Sequence, residues 1–184
     1  MGGDVIPVEA DMADDAASEH VMDVDIDPKE FRTVLGHFPT GVTVVAGVDG
    51  GTAHGLAIGS FFSISLDPPL VGFCVGNNSQ SWAPVEATGA FSVNVLSEHQ
   101  VDVSNTFASK AGDKFADLEW TPGPITGSPY LTDAVAHLDC TLEATYPGGD
   151  HVIVVGRVRA LQVHRAEHGP LLFFKGGYGR HESL

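Results

Sequence analysis

The sequence predicts a mainly β fold, a closed antiparallel barrel with a few short helices, and three observations support this. After Gly41 the chain breaks into short apolar runs, VTVVAGV, HGLAIGSFFSISL, PLVGFCV and AFSVNVL, each bounded by Gly, Pro, Asn or Asp. Between Ala136 and Thr145, apolar and polar residues alternate strictly, the pattern of a half-buried antiparallel strand. Helical patterns are few and do not alternate with the strands, which argues against a doubly wound parallel sheet.

Each element follows from local chemistry. Residues 1–26 are acidic, lack aromatic side chains and are expected to be a disordered tail; residues 27–184 form the domain. Asp27, Pro28 and Glu30 supply an N-cap, a proline in the first turn and a capping-box acid. Phe31, Val34, Leu35 and Phe38 then fall at i, i+3, i+4 and i+7, giving one helix with an apolar face. PGGD at Pro147 to Asp150 is a turn, and HVIVVGRVRALQV returns as the partner of the alternating strand. LLFFKGGY is a closing strand. Two further short helices are expected, near SWAPVEATG and from Ser97, where Ser97 and Gln100 make a second capping box.

Composition narrows the function. The chain has 184 residues and a net charge of −15, with ten acids against Lys29 alone in the first thirty residues. Such a balance repels the phosphates of nucleic acid and anionic lipid, so neither partner is expected. No apolar run approaches the roughly eighteen residues needed to span a bilayer. Cys74 and Cys140 sit in apolar stretches without metal-ligand spacing, which suits a reducing, cytoplasmic compartment. His164 and His168 have no third ligand in sequence, and no metal is expected.

The signatures GxGxxG, GxxxxGK[ST], GxSxG and HExxH are all absent, so any nucleotide must be held by another kind of site. Two segments stand out. In GLAIGSFFSISLDPPLVGFCV, Ser60, Ser63 and Ser65 interrupt an apolar β segment. Their hydroxyls either satisfy backbone groups at a bulge or face a ligand, with Gly55 and Gly59 allowing close approach of a flat ring. In VGNNSQSWAPVE, Asn77, Asn78, Ser79 and Ser81 supply neutral donors before a helix N-terminus, suited to a phosphate or ribityl chain, or alternatively to a polar turn capped at Ser81. Lys114 is a candidate to add charge there. His151 opens a strand after PGGD and should stand at the barrel rim.

From about Glu30 to Tyr178, the pieces FPTGVTVVAG, HGLAIGSFFSISLDPPLV, GAFSVNVLSEHQ, NTFA, GDHVIVVGRV and PLLFFKGGYG occur in an order and spacing that resemble the short-chain flavin reductases. These are the small components of two-component flavin-dependent monooxygenases. The resemblance implies an FMN-binding split barrel, a homodimer, FMN or FAD as the flavin, NADH or NADPH as hydride donor, and a separate oxygenase that receives reduced flavin. It carries flavin contacts to Ala57, Ser60, Phe61, Ser63, Ser65, Asn77, Ser79, Ser81, Trp82, Phe107 and Ala108, adds Lys114 and Tyr178, and assigns the nicotinamide nucleotide to His151. Ala57 and Gly59 depart from the Thr and Asn or Ser of many members, removing two side-chain bonds to the flavin. The competing class is a non-enzymatic flavin-storage protein on the same barrel, which does not require the Gly-Asp-His turn.

Overall fold

The computed structural model describes residues 25–110 and 112–184; the tail expected over 1–26 lies, except for its last two residues, outside the described residues. Asp27 caps helix α1 (Pro28–Leu35), its carboxylate accepting from the Lys29 N–H at 2.9 Å. The expected apolar face forms, yet no residue of the helix is buried, and Phe38 is 73% exposed. The helix is held at its C-terminal end instead, where the Gly36 carbonyl accepts from the Lys175 N–H at 2.9 Å.

A seven-stranded antiparallel sheet forms the body. Its spatial order is β3 (Thr52–Ile58), β2 (Thr43–Asp49), β6 (Ala90–Val95), β9 (Ala136–Gly148), β10 (His151–Val163), β5 (Pro69–Gly76) and β4 (Phe62–Leu66). A second sheet joins β1 (Thr40–Gly41), β11 (Leu171–Phe174) and β12 (Gly177–Arg180), and a small hairpin pairs β7 (Trp120–Pro122) with β8 (Pro129–Leu131). Helices α2 (Ala83–Thr88) and α3 (Val101–Ala108) complete the described elements. None of these helices is long and apolar enough to cross a membrane.

The mainly β expectation holds, and among the described residues no sheet closes by strand pairing: β3 and β4 are the two unpaired edges of the large sheet. Strand β4 parts from β5 at its N-terminal end. Their ladder runs from Leu66↔Pro69 to Phe62↔Gly72 with a bulge at Ile64, and one rung further the Ser60 hydroxyl takes the place of main chain. It accepts from the Cys74 N–H at 2.9 Å and donates to the Cys74 carbonyl at 3.1 Å. The sheet nevertheless coils around one core, in which Leu56 and Ile58 of β3 meet Val71, Phe73 and Val75 of β5. Coiling requires close approach: a Cβ on Gly156, beside a bulge in β10, would collide with the Phe91 ring.

Two readings of pattern are refined. The continuous apolar run of β2 is buried on both faces, with Val45 in one cluster and Val44 and Ala46 in the other. Strand β9 alternates as expected, but its polar residues His137 and Asp139 are also buried. The segment before β8 and β8 itself cover them: Asp139 accepts from the Ile125 and Thr126 N–H groups at 2.8 and 3.0 Å, and His137 Nε2 bonds the Leu131 carbonyl at 2.9 Å. Cys140 behind them is fully buried, and desolvation pushes its thiol up to about 12.

The Gly156 contact is open to test. Replacing Gly156 with Ala should lower stability by about 1–3 kcal/mol, the usual cost of overpacking, in urea unfolding. Gly41→Ala, at a site with nothing within 4 Å of the new Cβ, should leave the midpoint unchanged.

Candidate functional site

A cleft of about 550 Å³ opens between the start of β3, the loop after β5 and the segment after α3. Its chemistry is set by what is missing as much as by what is present. Among the described lining residues there is no Asp or Glu, in a chain that carries 24 of them, while Lys110, Lys114, His54, Ser79, Ser81 and Ser109 all line it. Such a surface receives an anion.

Lys114 is the central group. It is only 9% exposed, and its ammonium donates to the carbonyls of Phe107 (2.9 Å) and Gly55 (3.3 Å) and to Ser81 Oγ (3.1 Å). All three of its donors are therefore used, and burial lowers its pKa. Ser81 Oγ accepts from the ammonium, so its own O–H points elsewhere. Sequence reasoning placed a helix N-terminus behind this loop, with Ser81 as the alternative cap. In the structure α2 has six residues and Trp82 at its N-cap, and Ser79 Oγ accepts from the Trp82 N–H at 3.3 Å. Positive charge comes from Lys114 rather than from the helix.

The other expected residues separate into groups. Phe107 is buried with its ring against Gly55, where an added Cβ would lie 2.8 Å away; it serves the cleft through its carbonyl. Ala108 is exposed beside Ser109 and Lys110. Ala57 is half-buried on β3 and packs on the second core cluster, while Phe61 packs on the first. Ser60 has its single proton engaged by Cys74, as in the backbone-satisfying alternative, and Ser63 and Ser65 flank the β4 bulge. Trp82 is 3% exposed and sits edge-on to Phe73 and Phe91, so its ring belongs to the core. Tyr178 lies apart from the cleft, its hydroxyl joined to Ser104 Oγ (2.9 Å) and Asn105 Oδ1 (3.0 Å).

His151 is where the turn was expected to put it, exposed at the start of β10 and paired in register with Gly148 and Gly76. Its Nδ1 lies 2.6 Å from Asp150 Oδ1. The Asp150 carboxyl is held below the ordinary carboxylate range, first by that hydrogen bond and next by the His151 charge. In the neutral imidazole, an ionised Asp150 keeps the proton on Nδ1 and leaves Nε2 as an acceptor. Asn77 steadies the turn: its N–H donates to the Asp150 carbonyl and its Nδ2 to the Gly149 carbonyl, both at 3.1 Å. Asp150, His54, Ser109 and Lys110 were not singled out from sequence. The pair of lysines in SKAGDK, rare in so acidic a chain, was the available signal for Lys110.

Fold and cleft define a class: a coiled antiparallel β protein with a preformed, anion-receptive cleft at the sheet rim. The model of the flavin reductase like domain matches residues 35–182. The reductase subunit of a flavin-dependent monooxygenase from Rhodococcus jostii is 50% identical over 153 residues, covering 83% of this chain and 77% of that one. A flavin reductase from Pseudomonas putida is 49% identical over 155 residues, covering 84% and 90%. An NADH:FAD oxidoreductase from Streptomyces globisporus, solved in complex with NAD and FAD fragments, matches at 39% identity with a TM-score of 0.79, covering 85% and 96%. The chain belongs to the flavin reductase family.

The tie made by Lys114 has a measurable consequence. Lys114→Met keeps the stem but leaves the Gly55 and Phe107 carbonyls without their donor, so stability should fall by about 1–3 kcal/mol in urea unfolding. An unchanged midpoint would mean that solvent already satisfies those carbonyls.

Proposed function

We propose that this chain is an NAD(P)H-dependent flavin reductase that supplies reduced FMN or FAD to a separate flavin-dependent monooxygenase. The observation that carries the reading is the acid-free cleft built over the buried Lys114. It fits the phosphate end of a flavin nucleotide: Ser79 and Ser81 offer hydroxyl donors, and Lys114 supplies charge through Ser81 without leaving its carbonyl partners. The family's named members point the same way, among them a monooxygenase reductase subunit and an NADH:FAD oxidoreductase.

When bound together, dihydronicotinamide and flavin supply the hydride chemistry between their own rings. The protein binds and orients. Gly59 lets main chain approach the flavin, while the bare face of Gly55 is filled by the Phe107 ring, and Ser60 holds the segment in place through Cys74. Asp150 sets the tautomer of His151, whose Nε2 is then available to accept from the carboxamide of the hydride donor. The Asp150–His151 turn favours a reductase over a flavin-storage protein, since storage requires no group for a second nucleotide.

A homodimer on the family's split barrel completes the proposal. Phe31, Val34 and Leu35 of α1, Phe38 just beyond it, and Phe62, Ile64 and Leu66 of the edge strand β4 are exposed apolar side chains, and a second copy would cover them. The free thiols Cys74 and Cys140 suit a cytoplasmic location.

The test is oxidation of NADH and of NADPH by the purified protein, followed through loss of reduced-nicotinamide absorbance with FMN, FAD and riboflavin in turn. Flavin-dependent turnover is expected, and flavin binding without turnover would favour storage. His151→Ala should lower kcat/KM for the hydride donor about five- to a hundredfold, the loss of one hydrogen bond to a polar ligand group. Flavin affinity in a fluorescence titration should change much less.

A further inference from the structure

A second cleft, of about 450 Å³, lies between α1 and the turn joining β11 to β12. Lys29, Arg32, Thr33 and His37 line it from the helix side and Lys175 from the turn, and no carboxylate is among its lining residues. The chain has nine Lys and Arg in all. Three of the others are ion-paired, Arg157 with Glu143 (2.6 Å), Arg180 with Glu182 (2.9 Å) and Arg165 with Asp133 (3.2 Å). Lys29, Arg32 and Lys175 form no ion pair among the described residues. Three cations without an ion pair line one hollow of a strongly acidic chain, a lining that suits a small polyanion.

The turn itself adds weight. Lys175 has φ +51° in the two-residue connection closed by the Phe174↔Gly177 pair, followed by Gly176 at +80°. A hairpin of this geometry favours Asn or Gly at its first position, and the Cβ of any other side chain costs free energy there. Lysine at this position sacrifices some stability for a charge, and the ammonium reaches back over the Phe174 ring, 5.2 Å from its centroid.

Position gives the ligand. Thr40, paired in register with Phe173 beside this turn, has its Oγ1 3.2 Å from where a Cβ on Gly59 would stand, so the cleft adjoins the Gly59–Ser60 end of the flavin segment. Ser60 is bonded to Cys74, and two residues further along β5 Gly76 pairs with His151. Beyond its bond and charge contact with His151, Asp150 also feels the Arg32 guanidinium. The second cleft thus neighbours the Asp150–His151 turn, whereas the first is built on Lys114.

We infer that this cleft holds the phosphates at the adenosine end of the nicotinamide dinucleotide, with Lys29, Arg32 and Lys175 as the cations that bind them. The inference rests on the reductase reading and extends it. One nucleotide phosphate then sits over Lys114 and the other nucleotide's phosphates between α1 and the hairpin, leaving the two reactive rings to meet near Gly59 and His151.

The double variant Arg32→Gln/Lys175→Asn removes two charges and puts an αL-tolerant residue in the turn, so its melting temperature should not fall. Its KM for NADH should rise about tenfold or more, as for loss of charge-assisted hydrogen bonds, with flavin affinity retained. With N-benzyl-dihydronicotinamide, a hydride donor that has no phosphate, kcat/KM should equal that of the unsubstituted protein. An unchanged KM for NADH overturns the inference, and so does an equal loss with both donors, which would mark a disturbed hydride site. If the unsubstituted protein oxidises neither donor, the reductase reading itself fails and the inference falls with it.

Discussion

The contact of the Phe107 ring with the bare face of Gly55 is the constraint on which the site depends. It seats α3 against β3 at a separation that a Cβ at residue 55 would forbid. That seating brings the carbonyls of Gly55 and Phe107 close enough to share one ammonium, and Lys114 then reaches Ser81 with its third proton. A packing contact between two residues with no polar side chain thereby decides where a positive charge stands. The charge is kept at the base of the cleft because burial raises the cost of leaving its partners.

Electrostatics is organised against the background of the whole chain. With a net charge of −15, a phosphate-bearing ligand meets a repulsive mean field, and local geometry has to reverse it. The reversal is made by exclusion as well as by placement. Acids are absent from the lining of both clefts, and Arg157, Arg165 and Arg180, all outside the clefts, are occupied by carboxylates. Asp150, at the turn, is itself engaged by a ring nitrogen, His151 Nδ1, at 2.6 Å.

How much of this was legible in the sequence depended on the range of the interaction. The Asp27 cap, the two-residue turn before His151 and the paired strands β9 and β10 are local, and their residues state them directly. The outer edge of the large sheet is not local: the β4–β5 ladder is interrupted by the Ile64 bulge and ends where Ser60 replaces main chain at Cys74, and period-two patterning is blind to both. The polar face of β9 was misjudged for the same reason, since its cover comes from a segment preceding β8 and from β8 itself. Trp82 stands in a polar loop by sequence but turns its ring inward against Phe73 and Phe91. The basic cleft could not be seen at all, because Lys29 and Arg32 meet Lys175 only after β11 and β12 have brought the far end of the chain back to α1.

Helix α1 joins these themes. Lys29, Arg32, Thr33 and Gly36 fall at i, i+3, i+4 and i+7 and line the second cleft, while Phe31, Val34, Leu35 and Phe38 repeat the same spacing on another face. Neither face is buried in the single chain. An eight-residue helix is too short to be stable alone, so its position must be fixed by what it touches. Its C-terminal bond to Lys175 fixes one end, and the edge contact of His37 with Phe174 steadies it there. A second copy covering the apolar face would fix the rest. Assembly and hydride-donor binding would then act on opposite sides of the same two turns of helix, and the geometry of the basic cleft would follow from the quality of the subunit contact.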